Sequence, residues 1–222
     1  MIVSIIVPTV RGREDAHHAV CAEWDVQASG HRHAVEVVSP RDYPTVGEAW
    51  NAGAAASRGD VLIFAIDDAV PQPGCLDAAV AAVSRGVIPS PRLVFADGTL
   101  EACGTMGAGQ LMPECATGTP CRAAGLLAVS RPVWTTVGPF LPIHYYSDDE
   151  WCWRALNRAG RRCEVVRDFA FMHGHHQVRR AQMQERAAAD RAAFLAAVAA
   201  YPPGVVPGPG VRAPGEHEAV EA

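Results

Sequence analysis

The chain has 222 residues, 49% of them hydrophobic, and a formal net charge of −5. This length suits one domain with a sizeable core. The acidic balance provides no overall positive field, which argues against nucleic acid as a partner without excluding it. All 19 basic residues are arginine, which excludes a phosphate loop ending in Gly-Lys-Ser/Thr and any lysine Schiff base.

Cysteine content and the N-terminal stretch indicate the compartment. Residues 1–9 lack the basic start of a secretory signal and are too short to span a bilayer, so we expect a cytoplasmic protein without an integral membrane segment. The seven cysteines form no CxxC pair, which favours free thiols over a disulfide framework. A zinc site made of Cys103, Cys115, Cys121 and the later histidines is the alternative.

Strands and helices alternate in the first third of the chain. Apolar, β-branched runs predict strands at 3–9, 33–40 and 61–66, and the segments between them, 13–30 and 45–60, have helical periodicity or an alanine-rich composition and end at glycine. A β-α-β-α-β order implies parallel pairing with right-handed crossovers. Ligands of such sheets gather beyond the carboxyl ends of the strands.

The second part of the chain has a different pattern. The segments predicted there are a helix at 75–86, a hairpin at 87–104, a strand that enters a helix at 125–134, a helix at 147–160, a strand at 162–173 and a helix at 177–200. Residues 201–222 have the Pro, Gly and acidic composition of a disordered tail. The prediction is a single α/β domain over 1–200 with a mostly parallel central sheet flanked by helices.

An unusual feature is the pair Asp67 and Asp68, which directly follows the apolar run 61–66 and precedes a proline-rich turn. On an extended strand, neighbouring residues project to opposite sides, so the two carboxylates face apart unless the strand has already ended. Taken alone, the pair is either a solvated turn or part of a ligand site.

Taken in order, the segments from Val3 to about His176 resemble the family 2 glycosyltransferases, which have the GT-A fold. The motifs that carry the resemblance are VSIIVPT (3–9), NAGAAASRGDVLIFAIDDAVPQPG (51–74), PRLVFADGTLEACG (91–104), GLLAVSRPVWTTVGPF (125–140), YYSDDEWCWRALNRAG (145–160) and DFAFMHGHH (168–176). The resemblance implies a Rossmann-like nucleotide-binding half at 1–75, an acceptor and catalytic half at 76–176, and a C-terminal helix at 177–200.

The resemblance also implies an activity: transfer of a sugar, usually with inversion, from a nucleoside-diphosphate sugar to a hydroxyl of a glycan, small molecule or protein. The residues it assigns to the nucleotide are Pro8, Thr9, Arg11, Arg13, Asn51, Asp67 and Asp68. Asn51 has a second interpretation, as a brace for a loop. Nothing in the sequence predicts an oligomeric state.

The family uses an acid-x-acid motif for ribose and metal, and here its first position is Ile66 and its second acid is Asp68. His173 matches a histidine that relatives place on the metal or the diphosphate, so Asp68 and His173 are the expected ligands of Mn²⁺ or Mg²⁺. Imidazole favours the manganese-like ion.

The catalytic base implied by the resemblance is Asp148, at the start of the helix 147–160, or Asp149 if the register is shifted by one. The alternative for both acids is compensation of the positive helix N-terminus. Trp151 and Trp153 are candidates for stacking on a sugar, or for the core.

Two other functions remain open. A non-catalytic nucleotide-sugar-binding relative is favoured by Ile66 and by Ser39. Ser39 stands where members of the family have an aspartate, and the nearby Asp42 is a candidate to replace that acid. A nucleotidyltransferase on a similar sheet is less well supported, because the sequence has neither its Gly-rich phosphate loop nor a lysine.

Overall fold

The structure is a computed structural model that describes residues 1–105, 112, 116–173 and 180–199. The predicted disordered tail, Cys115, and the histidines after His173 lie outside the described residues. The strands are β1 (Ile2–Ile6), β2 (Ala34–Val38), β3 (Val61–Phe64), β4 (Ala69–Pro71), β5 (Ile88–Val94), β6 (Leu100–Ala102), β7 (Leu127–Ser130) and β8 (Cys163–His173). The helices are α1 (Glu14–Ala28), α2 (Val46–Ala56), α3 (Cys75–Ser84), α4 (Arg131–Val137), α5 (Ser147–Ala159) and α6 (Arg180–Ala199).

The central sheet has the order β2-β1-β3-β7. β1 pairs in parallel with β2 and β3, and β7 joins β3 in the antiparallel direction, so the prediction of a mostly parallel central sheet is confirmed. Strand β3 contributes Val61 and Ile63 to the apolar cluster on one face, and Leu62 and Phe64 to the cluster on the other. Burial on both faces explains why this strand is a continuous apolar run.

A second sheet, with the order β4-β8-β5-β6, lies beside the first and was not predicted. The prediction of a turn after Asp68 was wrong, because residues Ala69–Pro71 form β4 and pair antiparallel with β8. Pro71 is tolerated since β4 is an edge strand, where one side of the backbone needs no donor. The pairing sets Ala69 opposite His173, and thereby brings the end of β8 to the acidic pair.

Within the described part of the chain, no helix combines the length and the apolar character needed to cross a membrane. The longest of these helices, α6, carries its charged residues between Arg180 and Arg191. Its Phe194 and Val198 are buried against Ile143 and Trp153, so the helix covers one side of the domain.

Gly53 is the contact point between α2 and the central sheet. A Cβ atom at this position would lie 2.3 Å from Ile6 Cγ2 and 3.0 Å from Pro40 Cγ. We therefore expect Gly53→Ala to lower the free energy of unfolding by about 1–3 kcal/mol through overpacking, as measured by urea denaturation. Gly30→Ala is the control, because no atom lies within 4 Å of its Cβ position. Equal unfolding midpoints for the two variants would contradict this packing role.

Candidate active site

The carboxyl ends of β1 and β3 are joined by polar contacts. The Thr9 hydroxyl donates a hydrogen bond of 3.0 Å to Asp67 Oδ2. The Arg13 guanidinium lies 2.9 Å from Asp67 Oδ1 and 3.1 Å from Asp68 Oδ2. The structure thus brings together four of the residues that the sequence assigned to nucleotide binding.

Both aspartates face Arg13 because β3 ends at Phe64 and the pair lies in a turn. The alternation expected of an extended strand therefore does not apply to Asp67 and Asp68. Burial raises the pKa of Asp67, while the Arg13 charge and the Thr9 hydroxyl act in the opposite direction. The arginine compensates two carboxylates that would otherwise repel each other.

His173 adds an imidazole to this group. Its Nε2 atom lies 3.9 Å from Asp68 Oδ1, and its Nδ1 atom lies 2.8 Å from Glu101 Oε2. Sequence reasoning missed Glu101, although the residue belongs to the hairpin motif that was singled out. The available signal was the turn at Asp97-Gly98, but only the pairing of β6, β5 and β8 places this acid next to a histidine 72 residues away.

The first loop of the site is tied to the loop after β2. The backbone N–H of Thr9 donates to Pro40 O at 3.0 Å, and that of Arg11 donates to Asp42 Oδ1 at 2.9 Å. The Arg11 side chain is exposed, whereas Pro8 is buried. Asp42 therefore lies beside the predicted nucleotide loop. This is the position that a substitute for the missing acid at Ser39 requires.

Asn51 binds the backbone of a single residue in the loop after α4. Its amide nitrogen donates to Phe140 O at 2.9 Å, and its Oδ1 atom accepts from Phe140 N at 2.8 Å. These two bonds match the loop-bracing interpretation of Asn51. Both polar atoms of the Asn51 side chain are therefore engaged by the backbone of this loop.

Asp148 lies at the start of α5, beside the segment that leads into β7. Its Oδ2 atom accepts a hydrogen bond of 2.7 Å from Gly125 N. Gly125 adjoins Ile66, since a Cβ atom on this glycine would lie 3.5 Å from Ile66 Cδ1. Asp148 is thereby connected to the residue that immediately precedes Asp67. Desolvation raises the pKa of Asp148, and the Gly125 N–H acts to lower it.

The two acids that follow Asp148 have different environments. Asp149 is 2% exposed and accepts a 2.6 Å hydrogen bond from the Thr105 hydroxyl. Glu150 is 1% exposed and binds Arg154 through both carboxylate oxygens, at 2.6 and 2.8 Å. Of the three, only Asp148 retains partial exposure.

Comparison with solved structures identifies the fold of the chain. No protein-family model matches the sequence, and no curated protein matches it either. Among solved structures, glucosyl-3-phosphoglycerate synthase from Mycobacterium tuberculosis, in complex with Mn²⁺, UDP-glucose and phosphoglyceric acid, superposes with a TM-score of 0.64 at 14% identity, covering 91% of this chain and 81% of that one. The chain has the GT-A glycosyltransferase fold.

Two further GT-A structures are similar. The catalytic domain of Drosophila β1,4-galactosyltransferase 7 gives a TM-score of 0.56 at 13% identity, covering 79% of this chain and 71% of that one. TarS from S. aureus gives 0.56 at 14% identity and covers 77% of this chain, which spans only 36% of TarS.

In this GT-A fold, α6 supports the loop that leads into α5. Asp190 Oδ2 accepts hydrogen bonds of 2.9 Å from the backbone N–H groups of both His144 and Tyr145. The next residue, Tyr146, has a left-handed φ of 65°, which turns the chain into α5. The C-terminal helix thus fixes the entry to the segment that carries Asp148.

Both tryptophans of α5 belong to the interior of the GT-A domain. Trp151 is fully buried and donates to Gly138 O at 2.8 Å, and Trp153 is 5% exposed. Arg122, which sequence reasoning missed, lies with its guanidinium 4.9 Å from the centre of the Trp153 ring. Packing in the core accounts for both rings.

The cysteines of the described segments are free thiols, as expected. No group of three or more His, Cys, Asp or Glu side chains within those segments has an arrangement that holds a metal by itself. The alternative of a zinc site thus finds no support among Cys103, Cys121 and the described histidines, and Cys115 lies outside the described residues.

Proposed function

We propose that this protein is a glycosyltransferase that moves a sugar, with inversion, from a nucleoside-diphosphate sugar to a hydroxyl acceptor. The observation that carries the proposal is the cluster of Arg13, Asp67, Asp68 and His173 at the carboxyl edge of the central sheet. In doubly wound sheets this edge is the place where ligands bind. The similar synthase whose structure contains UDP-glucose and Mn²⁺ makes this pair the first choice of donor and ion to test.

Asp68 and His173 are the residues that would hold a divalent cation. Their facing atoms, Oδ1 and Nε2, lie 3.9 Å apart, and a carboxylate with an imidazole suits Mn²⁺. Two protein ligands are sufficient when substrate phosphates complete the coordination, as they do for ions in many phosphate-binding sites. The bound ion would supply positive charge for the leaving diphosphate.

Arg13 is placed to share this task. Its guanidinium already lies against Asp67 and Asp68, so it is held at the strand ends without the donor. Arginine forms charge-assisted hydrogen bonds with phosphate oxygens. We infer that Arg13 faces the diphosphate and that Thr9 and Asp67 hold it there.

Asp148 is the general base in this proposal. It is the only partly exposed acid among the three that begin α5, and Gly125 N–H orients its carboxylate. Its raised pKa makes the carboxylate a better proton acceptor than an ordinary aspartate. Asp149 is committed to Thr105, and we assign it the role of supporting the helix start.

A non-catalytic nucleotide-sugar-binding protein is the second candidate. It is favoured by Ile66, which occupies the position of the first acid and packs against the apolar clusters on both faces of the central sheet. Donor binding without sugar transfer or hydrolysis would select this function.

The test is calorimetric titration with UDP-, dTDP- and GDP-sugars, each with Mn²⁺ and with EDTA. We expect one donor class to bind in the presence of Mn²⁺, and Asp68→Asn to weaken that binding by at least about tenfold, because an amide is a poorer ligand than a carboxylate. Asp25→Asn, at an exposed position of α1, is the control and is expected to leave the affinity unchanged. Binding that is equally tight in EDTA would contradict the metal role, and failure of every donor to bind would contradict the proposed function.

A further inference from the structure

Glu101 lies at an irregular position of the second sheet. Strand β6 pairs with β5 through Leu93↔Ala102 and Val94↔Leu100, with a shift of register between the two pairs. Adjacent residues on β5 therefore oppose residues that are two apart on β6, and Glu101 is the residue between them. Such bulges re-aim a side chain and occur frequently next to active sites.

The bulged residue reaches across β5 to the end of β8. Glu101 Oε2 lies 2.8 Å from Nδ1 of His173, and the two side chains are only 13% and 24% exposed. The neighbouring pair Val94↔Met172 fixes the level at which β5 and β8 meet. The contact thus joins an edge hairpin to the residue that lies opposite Ala69 on β4.

This contact determines which nitrogen of His173 carries the proton. An ionised carboxylate only accepts hydrogen bonds, so the Nδ1 atom must be the donor to Glu101. The other nitrogen, Nε2, is the one that lies 3.9 Å from Asp68 Oδ1. A carboxylate on the far nitrogen of a metal-binding histidine fixes both the tautomer and the ring orientation, and raises the basicity of the ligand.

We propose that Glu101 is a positioning residue that holds the His173 ring with Nε2 toward Asp68, in the orientation needed to bind a divalent cation together with the nucleotide diphosphate. This inference rests on the proposed function, because it concerns the same donor site. It adds a residue from the β5–β6 hairpin to a site otherwise made of the ends of β1, β3 and β8. Glu101 itself touches neither donor nor ion in this role.

The experiment compares the full-length wild type with Glu101→Gln, which keeps the length of the side chain and removes its charge. The first readout is Mn²⁺ affinity in the presence of UDP, measured by calorimetry, and we expect a loss of about 10–100-fold. The second readout is the ¹⁵N spectrum of the His173 ring at a pH where the imidazole is neutral. We expect the hydrogen on Nδ1 in the wild type, and a mixture of tautomers in the variant.

Glu164→Gln is the matched control, since Glu164 lies on the same strand β8 at the opposite end from His173. It is expected to preserve both readouts. A wild-type His173 with its hydrogen on Nε2 would overturn the role of Glu101, and this measurement holds even if the variant fails to fold. If the Glu101→Gln variant binds Mn²⁺ as tightly as the wild type does, the positioning role alone is overturned. A wild type that does not bind Mn²⁺ with UDP would overturn the metal site and the role of Glu101 together.

Discussion

Replacing Asp148 with asparagine is expected to lower the rate of sugar transfer by about 10²–10⁴-fold, because the acceptor hydroxyl loses the group that takes its proton. Donor affinity should be unchanged, since the Asp148 carboxylate binds Gly125 N–H and takes no part in the cluster around Arg13. The measurement is the transfer rate at saturating donor, with donor affinity determined by calorimetry on the same preparations.

Asp149→Asn is the matched control on the neighbouring residue. The asparagine Oδ1 atom still accepts the hydrogen bond from Thr105, so its effect on the rate should be much smaller. A larger loss in Asp149→Asn would reverse the two assignments. Equal losses of rate and affinity in both variants would mean that these acids shape the site and do not act as a base.

The pH dependence of transfer provides an independent check on Asp148. Its pKa is raised by desolvation, so the carboxylate takes up a proton at a higher pH than an exposed aspartate does. The rate is therefore expected to fall as the pH drops through this raised pKa. Asp148→Asn should remove that acid limb.

Arg154→Met is expected to produce the largest loss of stability, about 3–5 kcal/mol, because it removes the cation from a buried carboxylate. Arg154 is 6% exposed and binds both oxygens of Glu150. It also donates to Val137 O at 3.0 Å and Pro139 O at 2.6 Å, and so holds the loop between α4 and α5. Urea denaturation of the purified variant measures the loss.

Two further variants make this test specific. Arg158→Met removes an exposed arginine that also donates to Val137 O, at 3.0 Å, and is expected to cost less than about 1 kcal/mol. The double variant Glu150→Met, Arg154→Met should recover most of the loss, since a buried ion pair is replaced by apolar side chains without leaving a charge. If Arg154→Met were no more destabilising than Arg158→Met, the buried pair would not be a main support of this loop.

Local elements of the fold could be predicted because their signals are contained in short windows. The α5 segment has an acidic start, a periodic apolar face and a glycine stop, and the structure places the helix at Ser147–Ala159 with Gly160 in the left-handed region. Strand β3 was evident for the same reason, as an apolar run bounded by turn formers. By contrast, β4 has only three residues and contains a proline, so its strand character depends on β8 as a partner.

The sequence by itself determined the β-α-β-α-β order, the strand ends at which Thr9, Arg13, Asp67 and Asp68 lie, and the acidic start of α5, because hydrophobic periodicity and helix signals are local. The tertiary structure alone decided how these side chains are used. It paired Arg13 with both aspartates, buried Asp149 against Thr105, and left Asp148 partly exposed. It also brought Glu101 to His173 across two strand pairings. Such contacts depend on strand register and on burial. Both are set by residues far apart in the chain and cannot be predicted from a short window of sequence.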